Sequence, residues 1–298
     1  MFVGQAGDSK RASCLFVESG GNHGIDALCS AHCIKRWKTI TSASLTIVGT
    51  GLKFGTQLTP QANEVIRRCD RLFYLVYDPV SARWLDELKP SAVSLHRFYR
   101  PKKHWRDCCD KMVEAILGDL RIDLNVCAAF GGHPALCVYP SHEAMRRARQ
   151  EGFATTMLPA ISTADCLFAD LGVDPGRDGC RMFDVTEFLA RRPSLDPQTG
   201  LILFQVGTLR RRGALRSLKE MLCEKYPATH PVVIYEAALV TTWQPFIRRV
   251  ALSSLQPSAL TWVSTLYLPP TKRPPVDREM AERLGLIRST RSDTDLRQ

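Results

Sequence analysis

SLTIVGTGLKFGTQLTPQANEVIRRCDRLFYLVYDP, residues Ser44 to Pro79, reads as one unit of strand, glycine turn and helix. Leu45 to Val48 is apolar and β-branched, and Gly49 and Gly51 follow at once, the pattern of a strand ending in a tight turn. Thr59 and Pro60 then supply an N-cap and a proline at the first helical position, with Ala62, Val65 and Ile66 at helical spacing behind them. The unit lacks the third glycine, near Phe54, of a dinucleotide fingerprint, and it lacks the Gly-Lys-Ser/Thr of a Walker loop. Taken alone, the turn fits an ordinary structural role.

Four later segments repeat the grammar: FGGHPALCVYPSH (Phe130 to His142), MLPAISTADCLFADLGVDP (Met157 to Pro175), LILFQVGTL (Leu201 to Leu209) and THPVVIYEAAL (Thr229 to Leu239). Asn125 to Phe130 reads as a buried strand. Gly131 and Gly132 after it would let backbone approach a ligand that Cβ atoms would obstruct, with a plain hinge as the competing role. His133-Pro134 sets an extended turn. Ser162 and Thr163 follow the apolar run Leu158 to Ile161. Strands alternating with helical patterns throughout give an α/β fold.

A chain of 298 residues, 45% hydrophobic, exceeds one average domain, so two are expected. The boundaries read as an N-terminal extension, flexible or loosely docked, over 1–43; a first α/β domain over 44–153, ending in a helix over His142 to Gln150; a second over 154–268; and a linker and tail over 269–298. The second domain is expected to hold strands near Thr155 to Leu158, Leu201 to Val206, Val232 to Tyr235 and Trp262 to Leu266. No apolar run reaches the roughly 18 residues of a membrane helix, and Met1 begins no signal peptide, so a cytoplasmic protein is expected. Of the eleven cysteines, Cys127, Cys137, Cys166 and Cys223 fall in apolar segments, where free cysteine acts as a small core hydrophobe. His23, Cys29, His32 and Cys33 have some metal-like spacing but no second regular pair, and no metal is expected. The net charge of +10 is scattered in short clusters, mostly without interleaved aromatics, which reads as solvated faces and not as a nucleic-acid surface. The exception surrounds Arg97, Arg100, Lys102, Lys103 and Arg106, where His96, Phe98, Tyr99 and Trp105 intervene.

In order and spacing these segments resemble the S-adenosylmethionine-dependent tetrapyrrole methylases, class III methyltransferases, over about Ser44 to Pro270. Within them the chain is most similar to the borosin peptide-backbone α-N-methyltransferases. Gly132-His133-Pro134 replaces the Gly-Asp-Pro usual at the central turn, and LPAISTADCLFADLGVDPGRDGC, LFQVG, HPVVIYEAA and STLYLPPTKRPP follow the backbone-methylase pattern. No repetitive apolar core peptide follows the domain, so the split form is expected, acting on a separate precursor peptide or small protein.

The resemblance implies S-adenosyl-L-methionine in a cleft between two α/β domains, and a homodimer. Carried over residue by residue, Gly132, His133, Pro134, Leu136 and Cys137 would line the cofactor from the first domain, and Ser162, Thr163, Phe204, Gln205 and Ala238 from the second. Gly131 stands where the backbone methylases have tyrosine, and Ala135 where they have glycine. The loop after the third strand keeps Tyr99 and Met112 of their pattern but has His96, Trp105 and Cys109 at other key positions. Tyr99, His96 as base and Arg106 as charge stabiliser are the catalytic candidates. A tetrapyrrole C-methyltransferase is the alternative enzyme, and a non-catalytic cofactor-binding partner subunit the alternative outside catalysis.

Overall fold

A computed structural model describes residues 43–53, 55–100, 103–210, 213–272 and 275–286. The described residues form one compact unit. The N-terminal extension and its His23, Cys29, His32 and Cys33 lie outside the described residues.

The first sheet is wholly parallel. Its strands are β1 (Ser44–Gly49), β2 (Arg71–Leu75), β3 (Val93–Ser94), β4 (Val126–Phe130) and β5 (Ala154–Leu158), in the order β3-β2-β4-β1-β5. Four helices link them: α1 (Pro60–Arg68), α2 (Pro79–Leu88), α3 (Trp105–Arg121) and α4 (Tyr139–Gln150). β4 lies centrally and every one of its residues is buried, as a parallel strand covered on both faces requires. One face packs Leu45, Ile47, Phe73 and Ala128 against Met112, Ile116 and Leu120 of α3. The other packs Val48, Leu72 and Cys127 against Ile66 of α1 and Leu85 of α2.

α1 begins as the sequence dictates: the Thr59 hydroxyl accepts from the Ala62 N–H at 3.1 Å, and Pro60 occupies the first turn, where its missing N–H has no partner to lose. α4 starts three residues earlier than expected, at Tyr139.

The second sheet is mixed. After α5 (Thr163–Leu171) come β6 (Cys180–Asp184), α6 (Val185–Arg191), β7 (Gly200–Phe204), α7 (Ala214–Cys223), β8 (Pro231–Glu236), β9 (Phe246–Ala251) and β10 (Thr265–Leu268), ordered β6-β7-β10-β8-β9. Two details differ from the sequence reading. β5, expected in the second sheet, pairs with β1, Ser44 opposite Ala154 and Val48 opposite Leu158, and closes the first. The last strand begins at Thr265, so Trp262 and Val263 fall in the preceding turn, 60% and 42% exposed.

Cys127 and Cys166 are buried, as expected, whereas Cys223 is exposed at the end of α7, past its buried face, and Cys137 is half-buried. The arginines of α4 are not simply solvated: Arg147 meets Asp110, Glu114 and Glu143, and Arg121 meets Glu114 and Glu151, tying α3 to α4. Arg248 and Arg249 sit on the exposed edge strand β9. Among the described residues no helix is long and apolar enough to cross a membrane.

Candidate active site

The chain leaves β1 toward β2 on one side and leaves β4 toward β5 on the other, so β1 and β4 flank the point where the strand order reverses. In open α/β sheets ligands bind outside the carboxyl ends of such strands. The two turns there are stitched together. Thr50 N–H donates to the Phe130 carbonyl at 2.9 Å, and Gly132 N–H to the Gly51 carbonyl at 2.8 Å. This approach demands glycine at 49, where a Cβ would overlap the Gly132 carbonyl oxygen, Ala160 Cβ and Pro134 Cδ. It also demands glycine at 132, whose φ of +75° disfavours any side chain.

The second sheet contributes the turn after β7. Gln205 Nε2 donates to the Cys137 carbonyl at 2.9 Å, joining that turn to the one that precedes α4. Both residues are left-handed, with φ of 57° and 56°. Each such non-glycine residue costs on the order of 1 kcal/mol or more, a strain that folds concentrate at working sites.

Around this bridge lies a cavity of about 120 Å³. Gly131, Gly132, His133, Leu136, Cys137 and Val138 line it from one side, with Leu52 and Tyr77; Ser162, Thr163, Phe204 and Gln205 line it from the other, with Ala237, Leu239 and Trp262 to Thr265. No lysine, arginine, aspartate or glutamate is among these described lining residues. Burial, helped by Asp184, pushes the Cys137 thiol up to about 12, so it is a neutral wall at physiological pH. Ser162 is the N-cap of α5 in a reciprocal capping box: its hydroxyl accepts from Asp165 N–H at 3.2 Å, while the Asp165 carboxylate accepts from Ser162 N–H at 2.7 Å. The start of α5 is thereby held rigid at the cavity edge.

Eight of the ten residues named from the sequence as cofactor-lining thus meet around one cavity. Pro134 and Ala238 lie beside its wall: Pro134 packs beneath Gly49 and its carbonyl accepts from the Ser141 hydroxyl, and Ala238 is buried next to the lining Ala237 and Leu239.

His96, Tyr99 and Arg106 are not on the cavity wall. His96 sits in a single 3₁₀ turn, Leu95–Phe98, and its Nε2 is 2.7 Å from the Val76 carbonyl. A carbonyl only accepts, so Nε2 carries the proton and Nδ1 is the atom left to act as a base. The Tyr99 ring is 5.9 Å from the His96 ring. Its phenol is pushed up to about 12, first by burial and then by Cys109, Tyr77 and Cys108. Tyr99 is therefore a hydrogen-bond donor near neutral pH and not a base. The Arg106 guanidinium stacks on Tyr139 at 4.5 Å and on Trp105 at 5.2 Å, which fixes a cation at the start of α3. Sequence reasoning quoted the segments that hold Tyr77, Ser264 and Thr265 and expected a strand over Trp262 to Leu266, but assigned none of these residues to the site.

A parallel and a mixed five-stranded sheet, with a cavity lined by turns from both, define a fold shared with known methyltransferases. The uroporphyrin-III-C-methyltransferase from Thermus thermophilus matches with a TM-score of 0.56 over 76% of this chain and 92% of that one, at 17% identity. The methyltransferase CobJ matches with a TM-score of 0.58 over 79% and 97%, at 16% identity. The chain belongs to the tetrapyrrole (corrin/porphyrin) methylases, a methyltransferase family whose pattern matches residues 44–251. Members of this family use S-adenosylmethionine. Its relatives include the methyltransferase/ribosomally synthesized cyclic peptide omphalotin A precursor of Omphalotus olearius, 33% identical over 259 residues, 83% of this chain and 62% of that protein. The corresponding type III borosin precursor of Anomoporia bombycina is 36% identical over 258 residues, 82% of this chain and 30% of that protein. The chain thus spans less than two thirds of the length of these relatives.

Proposed function

We propose that this protein is an S-adenosylmethionine-dependent methyltransferase that N-methylates backbone amides of a precursor peptide supplied as a separate chain. The observation that carries the proposal is the uncharged cavity at the switch point, with a loop bearing Tyr99, His96 and Arg106 next to it. The relatives that match over four fifths of the chain are named both methyltransferases and cyclic-peptide precursors, which points to a peptide.

The cavity's chemistry fits this cofactor. Leu52, Leu136, Phe204 and Ala237 offer apolar faces to a purine, and the tight glycine turns allow backbone to reach a ligand's polar groups. No fixed cation opposes a positively charged sulfonium, and aromatic faces favour one. Gly132, His133, Leu136 and Cys137 would hold it from the first sheet, with Pro134 supporting them. Ser162, Thr163, Phe204 and Gln205 would hold it from the second, with Ala238 behind. When bound, it supplies an electrophilic methyl group.

The protein's task is to make a poor nucleophile react. An amide nitrogen's lone pair is delocalised into its carbonyl, so its proton must be removed and the developing charge on oxygen held. Tyr99, protonated well past neutral pH, donates to that oxygen. His96, its Nε2 pinned to Val76, takes the proton at Nδ1. Arg106, clamped by Tyr139 and Trp105, stabilises the charge. The active form is a homodimer, which light scattering of the purified protein tests.

The experiment is co-expression with a small precursor that carries a helical leader and an apolar C-terminal stretch, read by intact mass. Methyl-sized increments on the peptide are expected. An unmodified peptide beside a cofactor-loaded protein would overturn the peptide assignment.

A further inference from the structure

Tyr77 lies just past β2, near the end of the opening stretch Ser44 to Pro79 and not among the residues expected to line the cofactor, yet it lines the cavity. Strand pairing brings it there. Leu75 is in register with Phe130 and its carbonyl accepts from Gly131 N–H at 3.0 Å, so the residues that follow the two strands run side by side. The ring lies against Gly131: a Cβ there would stand 3.4 Å from Tyr77 Cδ2 and 3.7 Å from Cε2, at ordinary contact distance, so a larger side chain at 131 would reach the ring.

Tyr77 is 66% exposed overall, and part of its side chain lines the cavity. Its phenol is pushed up by partial desolvation among its neighbours, and by Cys137 on the cavity wall and Cys109 on α3. Tyr99 in turn is perturbed by Cys109 and by Tyr77 itself. Tyr77 is therefore within electrostatic reach of both the cavity wall and the catalytic loop. The residue before it, Val76, is the one that holds His96.

We propose that Tyr77 is the partition between the cofactor cavity and the substrate loop: its ring, seated against the backbone of Gly131, walls the cavity, and the residue before it holds His96 of that loop. The proposal rests on the reading of the cavity given above. An aromatic at this junction contacts whatever fills the cavity. What matters is then a ring in that space and not the strand that supplies it. A side chain grown from residue 131 would enter the same space.

Calorimetry with S-adenosylhomocysteine on the wild type, Tyr77→Phe, Tyr77→Ala, Gly131→Tyr and the double variant Tyr77→Ala/Gly131→Tyr tests this without any turnover. Tyr77→Phe should bind within about twofold of wild type, and Tyr77→Ala about tenfold more weakly, the scale of one lost aromatic contact. Gly131→Tyr alone, with two rings competing for one space, should also weaken binding. The double variant should recover to within about threefold of wild type, a non-additivity expected only of residues that share a site. Losses that simply add in the double variant overturn the proposal while leaving the cofactor reading intact. Should Gly131→Tyr not fold, the Phe and Ala pair decides, and equal affinity of the two overturns the proposal. Failure of the wild type itself to bind overturns the cofactor reading and the proposal with it.

Discussion

Gln205 reports most sensitively on whether the two sheets are braced across the cavity. Gln205→Ala removes the 2.9 Å bond to the Cys137 carbonyl and leaves a residue with φ of 57°. A neutral hydrogen bond of this kind contributes about 1 kcal/mol, so the melting temperature should fall by about 2–4 °C for a chain of this size. Gln205→Gly loses the same bond, but glycine meets no Cβ penalty in the left-handed region, a relief of roughly 1 kcal/mol. It should therefore melt close to wild type. Binding separates the two effects differently, because neither variant keeps the brace. Both should hold S-adenosylhomocysteine up to about fivefold more weakly, the equivalent of about 1 kcal/mol. Differential scanning fluorimetry and calorimetry on the three proteins give both quantities. Wild-type affinity in both variants would refute the claim that this bond shapes the cavity, and equal melting of the two would refute the strain.

Three other outcomes follow from the same geometry. Ser162→Leu breaks the capping box of α5, worth about 1 kcal/mol, and fills the cavity, so cofactor binding should be lost; undiminished affinity by calorimetry would remove Ser162 from the site. Tyr99→Phe should lower methylation by on the order of a hundredfold with cofactor affinity unchanged. Because this phenol is pushed up to about 12, the wild-type rate profile should show no Tyr99-dependent inflection near pH 10, and finding one there would contradict the upward shift. Burial also pushes Tyr226 and Tyr267 up to about 12. The unfolded chain loses these protons first, so the stability they contribute is intact below about pH 10 and is lost progressively toward pH 12, at on the order of 1 kcal/mol each by pH 11. Tyr226→Phe, which also deletes a buried hydroxyl that has no partner, should flatten this alkaline loss, and an unchanged slope of melting temperature against pH would count against it.

The parts of the site that depend on local chemistry were legible in the residues. The Thr59-Pro60 helix start, the β4 strand and the glycine turn after it are fixed by cap geometry, apolar runs and Cβ exclusion. What escaped depends on neighbours distant in sequence. β5 has alternating exposure, so nothing in its own residues says which sheet it joins; that is settled by its register with β1. Tyr77 enters the cavity only because β2 and β4 pair in parallel. Cys137 and Gln205 adopt left-handed backbone although neither is a residue type that announces it, because each is held by the other across the two sheets. The roles proposed for His96 and Tyr99 also drew on the structure, where His96 Nε2 is held by the Val76 carbonyl and the Tyr99 phenol is pushed up.

The account's central claim is that this cavity delivers a methyl group to a peptide backbone. The direct measurement is incubation of the purified protein with methyl-deuterated S-adenosylmethionine and, in parallel, the candidate precursor peptide and a reduced tetrapyrrole, followed by fragmentation mass spectrometry. The account predicts the deuterated methyl on backbone nitrogens of the peptide, lost in Tyr99→Phe. Label on a tetrapyrrole carbon, or on neither acceptor while the cofactor is bound, would contradict it.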